Sequence, residues 1–325
     1  MSQILFISFF IALLLFTYML GLRYMFWRLL GLIPLLFLIA SLAFILVKSV
    51  KGGPFDHDRQ TPEIKRQMEK RYHLDQPIYL QYVRYMKMIF VDFDFGPSMK
   101  YRDWSVNDII AQSFPVSITL GSFALCFALI VGCTMGILSA VRQNTWIDYT
   151  TMSFALLGVS IPSFLVGSGL LLFCAFYLKI LPPAGWGDFQ HIILPGITLG
   201  LPYVAYCARL SRAGMLEVVN QDFVRTAKAK GLRGSVIVLR HTLRGGLLPV
   251  VSFLGPAAAG ILTGSLVVEK IFKVPGLGYH FVQSAFNRDY PLVLGTILLY
   301  SVLLIFFNLI VDIAYALLDP RVQLK

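Results

Sequence analysis

The sequence predicts an all-α, polytopic membrane protein with six core helices, and three observations carry that prediction. Hydrophobic residues make up 57% of the 325 positions and charged residues only 14%, against about 25% charged in soluble domains. The apolar residues fall in blocks instead of an amphipathic rhythm, and a bilayer core takes about 20 such residues to cross as a helix. The polar covering helices that a large soluble core would need are missing. Backbone N–H and C=O groups cannot go unpaired in lipid, so the blocks must be helical.

The six blocks are Leu29–Val47, Pro115–Val141, Thr150–Leu178, Ile192–Ala208, Leu247–Val268 and Pro291–Leu318. Ahead of them, Ile4–Leu20 is an apolar run near the lower length limit for spanning. It has no basic n-region and no A-x-A-type cleavage site, which argues against a signal peptide. Three readings stay open for residues 1–24: an extra transmembrane helix, a segment along the membrane surface, or a start set too early, with Met25 opening the core. Residues 25–48 form the first core helix, 49–112 a helical loop outside the membrane, 113–319 the main membrane domain, and 320–325 an inward-facing tail.

Charge sets the orientation. The net charge of +11 would suit a nucleic-acid binder if it were spread over one surface, but it is concentrated in the stretch 209–246. That stretch holds Arg209, Arg212, Arg225, Lys228, Lys230, Arg233, Arg240 and Arg244 against Glu217 and Asp222. Short basic loops stay in the cytoplasm, so this loop faces inward, as do Arg23 and Arg28. No nucleic-acid partner is expected.

The outer loop reads as short helices. Thr61 is placed to cap a helix with Pro62 at its first position and Glu63 in its first turn. A second helix starts near Pro77, with Ile78, Tyr82, Val83, Met86 and Phe90 on one face and Arg84 and Lys87 off it. Gly96-Pro97 marks a turn, and Ser105 with Asp108 has the spacing of an acidic capping box.

Absences narrow the chemistry. Cys126, Cys133, Cys174 and Cys207 lie inside apolar blocks without C-x-x-C spacing, and the histidines are scattered, so no metal site or disulfide is expected. No ionisable group lies near the middle of a block; Asp312, beside Asn308 toward the inward end of the last, comes closest. Ion-coupled carriers need such groups, so gradient coupling by this chain alone is disfavoured. No G-x-x-x-x-G-K-[ST] loop, G-x-S-x-G elbow or H-E-x-x-H pair occurs. An intramembrane enzyme is thus disfavoured, and energy for vectorial work must come from another chain. Pro162, Pro195, Pro202 and Pro256, with the pairs Gly132/Gly136, Gly196/Gly200 and Gly260/Gly264, suggest a tightly packed, kinked bundle.

The stretch Asn220–Leu232 resembles the cytoplasmic "EAA" loop of type I ABC importers in its peptide-permease version. Further segments are similar to the B-type subunit of oligopeptide permeases: Asp94–Ser98, Lys100–Asp108, Ser113–Ser117, Ile161–Phe164, Leu194-Pro195, Glu269–Gly278, Asn287–Pro291 and Leu318–Arg321. The resemblance runs from about Met25 to the C-terminus. It implies the type I ABC importer transmembrane fold and a permease subunit for oligopeptides in the inner membrane, with dipeptide, nickel or antimicrobial-peptide permeases as alternatives. It further implies a second, C-type permease, two ATPase subunits that use ATP and Mg, an extracytoplasmic peptide-binding protein, surrounding lipid and a peptide substrate. This chain itself binds no cofactor in that scheme.

The resemblance assigns ATPase coupling to Asp222, Phe223, Arg225, Thr226, Ala227, Lys228, Ala229, Gly231 and Leu232. Ala227 and Ala229 are expected to permit close approach, and Gly231 to end the short helix. Arg225 stands where the wider family has Glu, and the interval from Gly231 to Pro249 is longer than in sugar permeases. Candidates for the translocation path are the uncharged polar groups of Ser160, Ser163, Thr198 and Asn308, with Pro162.

Overall fold

A computed structural model describes residues 22–50, 54–55, 62–101 and 103–318. The apolar run Ile4–Leu20, the capping position Thr61 and the tail 320–325 lie outside the described residues. Among the described residues the structure is helical throughout: α1 (Leu22–Ser49), α2 (Pro62–Arg71), α3 (Ile78–Phe90), α4 (Val106–Val141), α5 (Trp146–Ser160), α6 (Ser163–Tyr177), α7 (Gln190–Val219), α8 (Asp222–Ala229), α9 (Gly234–Gly246), α10 (Leu248–Leu262), α11 (Leu266–Phe272), α12 (Leu277–Asn287) and α13 (Tyr290–Leu318).

Four helices are long and apolar enough to cross a membrane, over Leu30–Ser49, Val106–Val141, Gln190–Val219 and Tyr290–Ala314. The other two blocks are broken. α5 and α6 meet at 104° across Ile161-Pro162, and α9 and α10 at 50°. At the first break Pro162 pushes the preceding residue out of helical geometry, and Ile161 is extended (φ −93°, ψ 123°). The expected fifth span, Leu247–Val268, stops short. α10 ends at Leu262 and the chain turns at Gly264 with φ +85°, so Val268 belongs to the separate helix α11.

The bundle is held by a seam between α4 and α7. A Cβ at Gly132 would sit 2.7 Å from Cys207 Cβ, one at Gly200 would sit 2.8 Å from the Ala124 carbonyl, and one at Gly136 would collide with the Ala208 carbonyl. Two of the three G-x-x-x-G pairs therefore lie in one interface at different levels, Gly132/Gly136 against Val204, Cys207 and Ala208 and Gly196/Gly200 against Phe123 and Ala124, where glycine lets the backbones approach this closely. The third pair does not act as a helix-packing pair, because Gly264 lies in the turn beyond α10. At one end of the seam, Leu120, Leu194, Ile261 and Phe272 form the buried core shared by α4, α7, α10 and α11.

The outer end is tied down by buried polar groups. Glu269 is 1% exposed and accepts hydrogen bonds from Tyr279 N (2.7 Å), Gly278 N (3.3 Å) and Ser117 Oγ (3.2 Å). It thus satisfies orphan donors at the start of α12 and joins that helix to α4. Asp289 is fully buried, takes the Ser98 hydroxyl and Met99 N (3.1 Å), and stands at the start of α13. Asn107 holds Phe95 N and the Phe93 carbonyl from within α4. The Ser105–Asp108 capping box is present, but it opens the 36-residue α4 itself, so the second span begins nine residues before Pro115.

α3 forms as expected, and Tyr82, Met86 and Phe90 of its assigned face turn inward, but Ile78 and Val83 do not. Met86 and Ile89 are buried, with Tyr82 and Tyr85 packed beside them, whereas Ile78 and Val83 are exposed. The positions 82, 85, 86 and 89 are one helical stripe; Val83 is a neighbour of Tyr82 in sequence and so points about 100° away.

Candidate functional site

Two features bear on the predicted site residues: the loop around α8, which holds the coupling candidates, and a cleft in the bundle, which one path candidate borders. The loop begins later than its basic residues suggested, since α7 continues unbroken to Val219. α8 then spans eight residues, too few to be stable alone. It is held by Val224 and Ala227, which pack on Ile237 of α9.

The end of α8 is a Schellman turn. Gly231 N donates to the Lys228 carbonyl (2.9 Å) and Leu232 N to the Ala227 carbonyl (3.3 Å), with Gly231 at φ +73°. That pairing satisfies the last helical carbonyls and calls for a residue free to take the left-handed conformation. A Cβ at Gly231 would meet nothing within 4 Å, so the demand for glycine there comes from the backbone and not from crowding.

Two alanines two residues apart lie about 200° around a helix and cannot share a face. Ala227 is accordingly turned onto the chain's own α9, while Ala229 is exposed. The outward surface of α8 consists of Asp222, Phe223, Arg225, Thr226, Lys228 and Ala229, with Gly231 and Leu232 following. Phe223 and Leu232 are 46% and 41% exposed, and Leu239 of α9 adds a third exposed apolar side chain. Arg225 lies 3.6 Å from Asp222 in an i,i+3 pair whose partners are both solvated; such pairs hold little energy, so Arg225 is free to reach a partner. The exposed surface of this segment thus carries both apolar and cationic side chains.

Just above the loop, Asp148 at the start of α5 receives Arg212 of α7 through two parallel bonds, Nε to Oδ1 and Nη2 to Oδ2, both 2.8 Å. Asn144 N and the Ser139 hydroxyl complete the carboxylate's partners. This bidentate geometry clamps the α4–α5 turn to α7 two turns before the loop.

The cleft has a volume of about 560 Å³ and is bounded by α7, α10, the start of α6 and the middle of α13. Its wall is aromatic and small: Tyr203, Tyr206, Phe253 and Tyr300 alternate with Pro202, Pro256 and Gly260. Among the described residues no charged side chain lines it. Of the five path candidates only Ser163 borders this cleft. Ser160 bonds back to the Leu156 carbonyl (2.9 Å) and is exposed with Pro162. Thr198 is fully buried, donates to the Leu194 carbonyl (2.8 Å) and packs at Gly167. Asn308 packs at Gly255. The tyrosines were missed because they counted as ordinary apolar residues within their blocks. The i,i+3 spacing of Tyr203 and Tyr206 was the available signal, since it places both rings on one face.

Comparison with known proteins places this architecture. The family model described as binding-protein-dependent transport system inner membrane component matches residues 132–324, and its N-terminal companion matches residues 21–121. The chain is 48% identical over 305 residues to the oligopeptide transport system permease protein OppB of Haemophilus influenzae, covering 93% of this chain and 99% of that one. It is 46% identical over 303 residues to the dipeptide transport system permease protein DppB of Bacillus subtilis, covering 93% and 98%. Among solved structures, the inward-facing MetNI methionine ABC transporter aligns with a TM-score of 0.54 at 16% identity, over 65% of this chain and 96% of that one. The last likeness concerns the fold alone, that of an ABC transporter membrane subunit. On the family models and the full-length relatives together, this multi-pass chain belongs to the family of binding-protein-dependent transport system inner membrane components.

Proposed function

We propose that the chain is the B-type permease subunit of an oligopeptide importer in the cytoplasmic membrane. It is a transport subunit and not an enzyme. In this reading it pairs with a second, C-type permease to enclose the path. Two separate ATPase subunits hydrolyse ATP with Mg beneath it, and an extracytoplasmic peptide-binding protein delivers cargo above. The observation that carries the reading is α8, a short helix fixed from behind by Val224 and Ala227 while its apolar and cationic face is left open to a partner. The uncharged aromatic cleft suits a peptide backbone passed without strong selection for side-chain charge. A dipeptide cargo is the second reading, favoured by the 46% identity to a relative named for dipeptides.

The test is a pair of loop variants in reconstituted vesicles with the partner subunits. Gly231→Val forces a β-branched residue into a left-handed conformation at a cost of about 1–2 kcal/mol, with no steric clash to confuse the result. Membrane insertion and permease pairing should be normal, whereas ATPase association weakens or hydrolysis is uncoupled from peptide uptake. Arg225→Glu reverses the charge on the exposed face of the same helix and should act in the same direction. If both variants take up peptide like the parent at matched expression, α8 is a solvated basic face and the coupling role is wrong.

A further inference from the structure

At the opposite end of the molecule, a pocket of about 320 Å³ lies between the last turn of α1, the α2–α3 corner and the first turn of α13. Three basic side chains border it: Lys48, Arg71 and Arg84. Among the described residues no carboxylate lines it. Lys48 Nζ has one hydrogen-bond acceptor, the neutral Gln81 Oε1 at 2.5 Å, and lies over the rings of Phe44 and Tyr290 at 5.8 and 5.2 Å. Gln81 is oriented for that purpose, since its Nε2 donates to the Leu74 and Gln76 carbonyls. Neither arginine makes an ion pair among the described residues. Half-buried Lys48 and the exposed Arg71 and Arg84 thus border one pocket whose described lining holds no counter-charge, an arrangement that suits an incoming anion.

The position of the pocket narrows the anion. Lys48 is the penultimate residue of the Leu30–Ser49 span and Tyr290 opens the last one, so the pocket lies at the membrane–water boundary. The inner wall is apolar, with Phe44, Val47 and Leu294, and the same turn of α1 exposes Ile45 and Leu46 on its other sides. A soluble anion has no use for such a wall, whereas a lipid has chains to lay along it.

We propose that this pocket holds the anionic head group of a membrane phospholipid, its phosphodiester taken by Arg71, Arg84 and Lys48 and its acyl chains leaving along Phe44 and Val47. Guanidinium groups suit the phosphate through bidentate bonds, and basic pockets between membrane helices recognise head groups in this way. Bound lipid would add a ligand bridge between α1 and the α2–α3 corner, beside the protein contacts that already join α1 to α3.

The test uses the full chain purified in mild detergent, stripped of lipid and offered phosphatidylglycerol, phosphatidylcholine or inorganic phosphate. Native mass spectrometry counts bound lipid and a thermal midpoint is read in parallel. One tightly retained phosphatidylglycerol and a raised midpoint are expected, with affinity about tenfold lower in the Arg71→Gln/Arg84→Gln double variant, as loss of charge-assisted bonds implies. Lys48→Met keeps the aliphatic stem against Phe44; it should lose lipid while matching the parent's lipid-free midpoint. Undiminished retention by either variant overturns the proposal. So does equal binding of phosphatidylcholine, or an equal midpoint shift from inorganic phosphate at matched concentration.

Discussion

The two ends of the bundle are built on opposite plans. At the outer end, carboxylates are buried and saturated: Glu269 and Asp289 each collect several donors and each stands beside the start of a helix. In the inner loop, below the Asp148–Arg212 clamp, the charges of α8 are solvated, its Asp222–Arg225 pair is loose, and two small apolar side chains do the holding. Buried, fully partnered polar groups fix a single arrangement, because every alternative leaves a donor unsatisfied. A short helix on a small apolar patch opens at low cost. The outer end is therefore a rigid frame, and α8 is the part able to shift against a partner.

The largest expected effect tests the frame. Glu269→Ala strands two backbone N–H groups and the Ser117 hydroxyl, and should destabilise the chain by about 3 kcal/mol, read as thermal unfolding in detergent. Hydrogen exchange in α8 should stay at the parental rate. A midpoint equal to the parent's would remove the contrast between the ends.

A middling effect tests the other side. Val224→Ala trims the contact of α8 with Ile237 and should cost about 1–2 kcal/mol of local stability. Exchange across 222–232 should speed up while the global midpoint barely moves. A global loss would mean that the loop is part of the same cooperative unit as the frame.

The smallest effect concerns pH. Burial outweighs the donors around Glu269 and pushes its carboxyl up to about 7, above its ordinary value of 4.5. The fold therefore binds this proton more tightly than the unfolded chain does. The stabilisation is full below the unfolded value and is lost as pH rises through about 7, roughly 1 kcal/mol of it between pH 6 and pH 8. Glu269→Gln should flatten that part of the midpoint–pH curve. An unchanged slope would assign the dependence to another group.

What could be read from the sequence follows the range of each interaction. The capping box at Ser105, the break at Pro162 and the left-handed Gly231 are local, and each stands where its residue type demands. The outer latch was illegible because Glu269 meets Ser117 across 152 positions, and nothing near either residue announces the other. The Asp148–Arg212 clamp, 64 positions apart, was hidden for the same reason. The cleft was obscured differently. Its tyrosines are hydrophobic by composition and polar by chemistry, so a count of hydroxyls limited to serine and threonine passed over them. The face of α3 misread Val83 because adjacent residues were allotted to one stripe.

The placement of prolines in α7 has a mechanical consequence. Both Pro195 and Pro202 fall in its outer half, and each leaves one helical hydrogen bond unmade. From Tyr203 to Val219 the ladder is uninterrupted, a length of about 25 Å, and the Arg212 clamp braces it against the α4–α5 turn. Such a helix is a stiff crank with its compliant joint at one place. A displacement applied near Asn220 travels along the crank almost undiminished and is converted to bending at Pro202, where the aromatic wall of the cleft begins. In the proposed coupling role, a push on α8 would thus be spent beside the cleft, and the outer frame would have no need to move for the cleft to change shape.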